Sequence, residues 1–132
     1  MKAIDTNVLV RFLVNDEPRQ SKVAHNLFYE AELARDRLYV SNMVLLETIW
    51  VLESAYDVDR ESLLETLNEL LLMPVLALES RELIQAVLLS ARTGKADLSD
   101  LFIGHAAQLA GCETTLTFDK VAARLPVFEL MA

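Results

Sequence analysis

The sequence predicts an α/β protein with a mostly parallel sheet, because short apolar strands alternate with helices along its 132 residues. The helical segments repeat apolar side chains every three to four residues, whereas the strands are short apolar runs between them. Gly and Pro number three each, and no low-complexity linker interrupts the alternation. A chain of this length buries roughly two thirds of its surface, so we expect a single domain over residues 1–132.

The predicted strands are the apolar runs at residues 1–5, 38–40, 74–78, 114–117 and 127–129. The first helix, residues 7–14, is capped by Asp5 or Thr6. The second, residues 18–35, has Pro18 in its first turn, as helices favour. Its apolar stripe is predicted to be Val23, Leu27, Ala31 and Ala34.

The later helices follow from similar signals. Residues 42–56 form a helix of unusually apolar character, and Asp59 caps the next helix, residues 59–73. The inward side chains of that helix are predicted to be Leu63, Leu67, Leu70 and Leu71. Three further helices are predicted from Glu79 or Ser80 to near Gly94, from Asp97 to Ala110 before Gly111, and from Lys120 to Ala123.

The composition limits the possible functions and locations. Twenty acidic and 12 basic residues give a net charge of −8, which by bulk charge disfavours nucleic-acid binding. Acids that hold divalent cations, however, do not repel phosphate as bare charges do. The single cysteine, Cys112, excludes an intrachain disulfide, and Asp5 and Arg11 interrupt any signal peptide. We therefore expect a cytoplasmic protein with no membrane span.

Glu47 is the most informative acid, because its helical neighbours Met43, Val44, Trp50 and Val51 are all apolar. No Lys or Arg lies within one helical turn of it. A carboxylate buried there would carry a large desolvation cost unless a positive charge were beside it. The alternative is that Glu47 lies at a helix edge and reaches solvent.

Three more acids are candidates: Asp100, in the first turn of the helix before the fourth strand, and Asp5 and Asp119, which follow the first and fourth strands, where parallel sheets bind ligands. Each has a local alternative, since Asp5 can be an N-cap and Asp119 a turn residue. Asp97 has capping-box spacing to Asp100 and is predicted to be a cap. A carboxylate cage for Mg²⁺ or Mn²⁺ would explain Asp5, Glu47, Asp100 and Asp119 together. No Cys/His cluster favours zinc, and the lone His25 and His105 are predicted to pack or face solvent.

Four segments resemble the PIN-domain nucleases in order and context, most closely the VapC-like toxins of toxin–antitoxin modules. They are Ile4-Asp-Thr-Asn-Val-Leu9, Val44-Leu-Leu-Glu-Thr-Ile49, Ala96-Asp-Leu-Ser-Asp-Leu-Phe-Ile103 and Thr115-Leu-Thr-Phe-Asp-Lys120. The resemblance runs essentially end to end. It implies a three-layer α/β/α fold around a central, mostly parallel sheet. It also implies an Mg²⁺- or Mn²⁺-dependent endoribonuclease, a homodimer, and a small antitoxin that neutralises it.

The resemblance also assigns residue roles. The four family acids fall on Asp5, Glu47, Asp100 and Asp119, as metal ligands and catalytic groups, and Asp97 matches an extra acid found in part of the family. Positions that support the acids by hydrogen bonding fall on Thr6, Asn7 and Thr117. Whether Glu47 is a ligand or a general base stays open.

Basic and aromatic residues near the acids are candidates for binding RNA. Those expected to contact phosphate are Arg11, Arg92, Lys95, Lys120 and Arg124. Trp50 and Phe118 have rings that can stack on bases, although we predict that both pack in the core.

Other classes fit less well. A haloacid-dehalogenase-like phosphatase needs a second Asp two residues after the first, where this chain has Asn7. A receiver domain needs an acid pair after the first strand and an Asp ending the third, whereas Asp5 stands alone and Glu79 follows Leu78. A PIN fold kept only as a binding or dimerisation scaffold is the main non-catalytic alternative.

Overall fold

The computed structural model describes all 132 residues, which divide into two compact units, Met1–Ser80 and Arg81–Ala132. The elements of the first unit are β1 (Lys2–Ala3), α1 (Thr6–Leu13), α2 (Pro18–Leu33), β2 (Leu38–Val40), α3 (Asn42–Ser54), α4 (Arg60–Leu71) and β3 (Leu76–Leu78). Those of the second are α5 (Arg81–Arg92), α6 (Leu98–Leu109), β4 (Thr115–Thr117), a 3₁₀ helix (Ala122–Arg124) and β5 (Phe128–Leu130).

The first unit holds a parallel sheet in the order β1-β2-β3. Lys2 pairs with Leu38, and Leu38 pairs with Leu76, so the three strands end at the same edge. The hydrogen bonding continues one residue past β3, where the Glu79 amide donates to the Val40 carbonyl oxygen at 3.0 Å. The loops that follow these strands therefore emerge together, at the edge where parallel sheets bind ligands.

Of the predicted inward stripe of α2, Ala31 is buried and Leu27 half-buried, as predicted, whereas the rest of the helix faces the core differently. Its buried residues are Ser21, Ala24, Phe28 and Ala31, whereas Val23 is 65% exposed and Ala34 lies past the helix end. The ring of Phe28 stacks on Phe12 of α1 with centroids 3.9 Å apart. We attribute the shifted stripe to Phe28, because turning the largest apolar side chain of the helix inward buries more surface than turning Val23 inward.

The other helices of the first unit follow the sequence more closely. Asp5 caps α1 and Asp59 caps α4, each by accepting a backbone N–H of the first turn. The four predicted leucines of α4 are all buried, namely Leu63, Leu67, Leu70 and Leu71. Helix α3 begins at Asn42, with Ser41 as its cap.

The second unit pairs β4 with β5 in parallel, with Thr115 opposite Phe128. Gly111 ends α6 with a φ of +96°, a conformation that favours glycine. Gly104, inside α6, lies against Val127 and Phe128, and a Cβ at this position would be 2.9 Å from Phe128 Cε2. The absence of a side chain at residue 104 thus lets α6 approach β5 closely.

The predicted α/β class and parallel strand pairing are confirmed in both units. The last predicted helix, residues 120–123, is a 3₁₀ turn at Ala122–Arg124. None of the six α-helices combines the length and apolar character needed to cross a membrane. The single domain over residues 1–132 stays a prediction.

Candidate active-site carboxylates

Asp5 leaves the carboxyl end of β1 and caps α1. Its Oδ1 accepts the Val8 amide at 3.0 Å, which fixes the carboxylate, while the side chain remains exposed. The second oxygen has no protein partner. The capping role and a ligand role are therefore compatible, because capping uses one oxygen only. The neighbouring Thr6 is buried and Asn7 is exposed, and neither side chain bonds to an acid.

Glu47 is exposed on the outer face of α3, so of the two alternatives the structure has the one in which Glu47 reaches solvent rather than lying buried among apolar residues. Met43 is 83% exposed and Trp50 is 62% exposed on that same face. The opposite face buries Leu45, Ile49 and Leu52. Helix α3 is apolar on both sides but only one side is covered, and periodicity cannot tell which side that is. Glu47 forms no hydrogen bond or ion pair.

Asp100 is the half-buried acid of the second unit. Its carboxylate accepts no hydrogen bond and pairs with no cationic side chain. Burial, together with the negative charges of Asp97 and Asp119, raises the pKa of Asp100 above its ordinary value. Asp100 is thus a partly desolvated negative group among like charges, which is the electrostatic situation that a bound cation would relieve.

The two neighbours of Asp100 are held by local hydrogen bonds. Asp97 caps α6, as predicted, by accepting the Ser99 amide at 2.8 Å. Asp119 Oδ1 accepts the amides of Val121 and Ala122, and its own amide donates to Thr117 Oγ1 at 2.9 Å. Thr117, the last residue of β4, therefore fixes the backbone from which Asp119 projects.

No three carboxylate, imidazole or thiol groups lie together in an arrangement that would hold a metal ion by themselves. The donor chemistry nevertheless suits Mg²⁺ or Mn²⁺, because the charges acting on Asp100 come from carboxylates alone. Mg²⁺ usually keeps several waters and uses one or two carboxylates together with substrate phosphates. Within the second unit, the free carboxylate oxygens of Asp100 and Asp119 fit that mode of binding better than they fit a closed cage.

Arg11 differs from the other basic candidates because its guanidinium is already engaged. It donates to Gln20 Oε1 at 2.7 Å, to Asp16 Oδ1 at 3.2 Å and to the Tyr56 hydroxyl at 3.0 Å. The Tyr56 hydrogen bond, with the charges of Asp16 and Glu17, raises the pKa of Arg11 despite its partial burial. Arg11 lines a groove of about 580 Å³ between α1 and α2.

The remaining basic candidates are exposed and form no ion pair: Arg92, Lys95, Lys120 and Arg124. The histidines were expected to pack or to face solvent, and His25 is exposed while His105 is half-buried. His25 lies 4.5 Å from the Phe12 ring, and His105 Nε2 lies 2.7 Å from Ser90 Oγ.

Trp50 and Phe118 depart from the prediction that they pack in the core. Trp50 is 62% exposed and Phe118 is 77% exposed. Phe118 directly precedes Asp119, and Trp50 lies one turn beyond Glu47. Each ring is therefore accessible next to an acid that the sequence singles out.

Glu79 is a structured acid that sequence reasoning missed. It follows β3 at the carboxyl edge of the first sheet, and its Oε1 accepts the Asn42 amide at 2.9 Å. Burial, followed by the charge and hydrogen bond of Glu79, raises the pKa of Tyr39. The sequence suggests only that Glu79 starts a helix, because its partner lies 37 positions away and no local pattern links the two.

Both parallel sheets have acids following their strands, Asp5 and Glu79 in the first unit and Asp119 in the second. Comparison with known protein families identifies the class of protein that has this arrangement. The PIN domain family model matches residues 2–127, and the chain belongs to that family. The chain is also similar to the VapC ribonuclease of Aquifex aeolicus (strain VF5), with 31% identity over 71 residues. That alignment covers 54% of this chain and 52% of the relative, so it spans about half the length of either.

Proposed function

We propose that this PIN-domain protein is an Mg²⁺- or Mn²⁺-dependent endoribonuclease and the toxin of a toxin–antitoxin pair. The observation that carries the proposal is Asp100, a half-buried carboxylate among like charges with no cationic partner. Such an arrangement costs stability, and perturbed acids of this kind concentrate at functional sites. Membership of the PIN family and similarity to a VapC ribonuclease support RNA as the substrate.

The acids of the chain can take different roles in the proposed metal site, because they are held in different ways. Asp5 and Asp119 are fixed by backbone amides, so each presents a free oxygen in a defined direction. We assign Asp5 and Asp100 as principal ligands and Asp119 as a further ligand, direct or through water. Glu47, exposed and unpaired, is free either to ligate or to accept a proton from the attacking water. A bound divalent cation would stabilise charge on the phosphate oxygens and favour deprotonation of water.

The first test is cleavage of labelled RNA by the purified chain. We expect cleavage with Mg²⁺ or Mn²⁺ and none with excess EDTA. Asp5→Asn should lower the rate by about 10³-fold, the scale of several kcal/mol of lost charge stabilisation. It should leave the melting temperature nearly unchanged, since Asn caps helices as well as Asp does.

Glu65→Gln is the matched control, because Glu65 is an exposed α4 acid without a partner. It should cleave at the wild-type rate. Wild-type protein that cleaves no RNA with either metal would instead support the binding or dimerisation scaffold.

The partners follow from the same proposal. We propose that a small antitoxin neutralises the protein, that the protein acts in the cytoplasm, and that it forms a homodimer. The net charge of −8 favours a Lys- or Arg-rich antitoxin segment, since complementary charges steer association. A co-expressed basic antitoxin should co-purify with the chain and restore growth of cells that express it.

Trp50 provides a prediction about RNA binding. Stacking of one base on an exposed aromatic ring contributes about 1–3 kcal/mol, so Trp50→Ala should weaken single-stranded RNA binding by roughly tenfold or more. Tyr29→Ala is the control, because Tyr29 is also 62% exposed but lies on α2. Filter binding measures the RNA affinity of Trp50→Ala and of Tyr29→Ala, each made in the cleavage-deficient Asp5→Asn protein. A change from dimer to monomer, with RNA affinity unchanged, would assign this ring to subunit contact instead.

A further inference from the structure

Glu79 occupies an unusual position for a helix-capping group, because it acts on a helix other than its own. Its carboxylate accepts the amide of Asn42, the first residue of α3, from the end of β3. Amides in a helix's first turn have no partner within the helix. The N-terminal end of a helix also carries a partial positive charge, which favours a nearby carboxylate.

The first turn of α3 is thereby held at two points. Ser41 Oγ accepts the Val44 amide at 3.1 Å, and Glu79 accepts the Asn42 amide at 2.9 Å. The half-buried Tyr39 on β2 lies near Glu79, whose negative charge contributes to raising the pKa of Tyr39. The start of α3 is therefore tied to the carboxyl edge of the sheet by two side chains, Ser41 after β2 and Glu79 after β3.

This tie matters for Glu47, which lies five residues after Asn42, or about 7.5 Å along the helix axis. Glu47 has no hydrogen bond or ion pair of its own, and it lies on the uncovered face of α3. Nothing on that face fixes its position. The position of the Glu47 carboxylate therefore depends on how the start of α3 is anchored.

We propose that Glu79 is a positioning residue for Glu47: by clamping the first amide of α3, it sets where the Glu47 carboxylate stands. This inference rests on the proposed nuclease function for its catalytic consequence. The clamp itself is a structural statement and can be measured without RNA.

The test compares Glu79→Ala with Glu79→Gln and a matched control. Glu79→Ala leaves the Asn42 amide without its acceptor, whereas the amide oxygen of Gln can still accept it. The control is Asp59→Ala, which removes an analogous 2.8 Å side-chain cap from α4 of the same unit. Tyr39→Phe, which removes only the hydroxyl beside Glu79, is a milder second variant.

The first readout is amide hydrogen exchange. In Glu79→Ala, exchange at Asn42 should be about tenfold faster, the scale expected for losing a charge-assisted hydrogen bond. Glu79→Gln should restore most of the protection, and Asp59→Ala should leave it unchanged. Unchanged exchange at Asn42 in Glu79→Ala would overturn the clamp, whatever Tyr39→Phe does.

The second readout is RNA cleavage. Glu79→Ala should lower kcat by roughly ten- to a hundredfold at an unchanged KM, the consequence of a misplaced catalytic group. Glu79→Gln should recover most of kcat, and Asp59→Ala should retain it despite a similar fall in melting temperature. Equal losses of kcat in Glu79→Ala and Asp59→Ala would show that kcat falls through lower stability. That outcome would overturn the positioning role. If exchange at Asn42 is faster in Glu79→Ala but the wild-type protein cleaves no RNA, the clamp stands. The proposed function and the positioning role are then overturned.

Discussion

Asp100→Asn should greatly slow RNA cleavage and at the same time stabilise the metal-free protein at neutral pH. The substitution removes a half-buried negative charge that lies near Asp97 and Asp119. We expect a stability gain of roughly 0.5–1 kcal/mol, the scale of one partly screened charge interaction. For the same reason the catalytic rate should fall by about 10³-fold, since the neutral amide loses the charge that attracts a cation.

The pH dependence of this gain has a defined sign. Folding raises the pKa of Asp100, so the folded protein holds this proton more tightly than the unfolded chain does. The resulting stability is fully present below the unfolded-state pKa, about 3.9, and is lost as pH rises through the folded-state pKa. Asp100→Asn should therefore melt above the wild type at neutral pH, and the difference should vanish below about pH 3.9.

Asp97→Asn is the control for this experiment. It also removes a negative charge beside Asp100, and Asn retains the cap on α6. We expect it to stabilise the protein slightly while keeping the cleavage rate within about tenfold of wild type. An Asp100→Asn variant that melts no higher than wild type at neutral pH, with added EDTA, would contradict the electrostatic description of Asp100. Full cleavage activity would remove Asp100 from the proposed ligands.

Capping residues were the most predictable feature of this chain. Asp5, Asp59 and Asp97 each bond to an amide two or three positions ahead, so the information lies within one helical turn. The parallel pairing of strands could also be predicted, because helices between strands leave few other topologies. The candidate acids Asp5, Glu47, Asp100 and Asp119 could be singled out from their apolar or strand-end settings in the sequence. Only the family's motif positions linked them to a reaction.

The uncovered face of α3 could not be predicted in the same way. Leu45 and Trp50 are both apolar, yet one is buried and the other is 62% exposed. When apolar residues surround a helix, its periodicity no longer indicates the direction of the core. The Glu79–Asn42 hydrogen bond was beyond reach for a related reason, since it depends on the register of β2 against β3.

Close packing at Gly104 leads to the largest expected effect on stability. Any Cβ at this position would overlap Val127 and would approach Phe128 Cε2 to 2.9 Å. Val127 and Phe128 are buried with Ala122 in a small apolar cluster, so they have little room to move. We expect Gly104→Ala to destabilise the protein by about 1–3 kcal/mol or more, the usual cost of overpacking. That cost outweighs the better helix propensity of alanine, which is about 1 kcal/mol.

The other two glycines supply controls for Gly104→Ala. A Cβ at Gly94 would meet nothing within 4 Å, so Gly94→Ala should be neutral or stabilise the protein by about 0.4–1 kcal/mol. Gly111 has equal space but a φ of +96°, so Gly111→Ala should cost about 1–2 kcal/mol through backbone strain alone. Urea titration of the three variants separates these causes, because only Gly104→Ala should be partly rescued by a second substitution, Val127→Ala. A Gly104→Ala protein as stable as wild type would show that α6 does not lie against β5 at this distance.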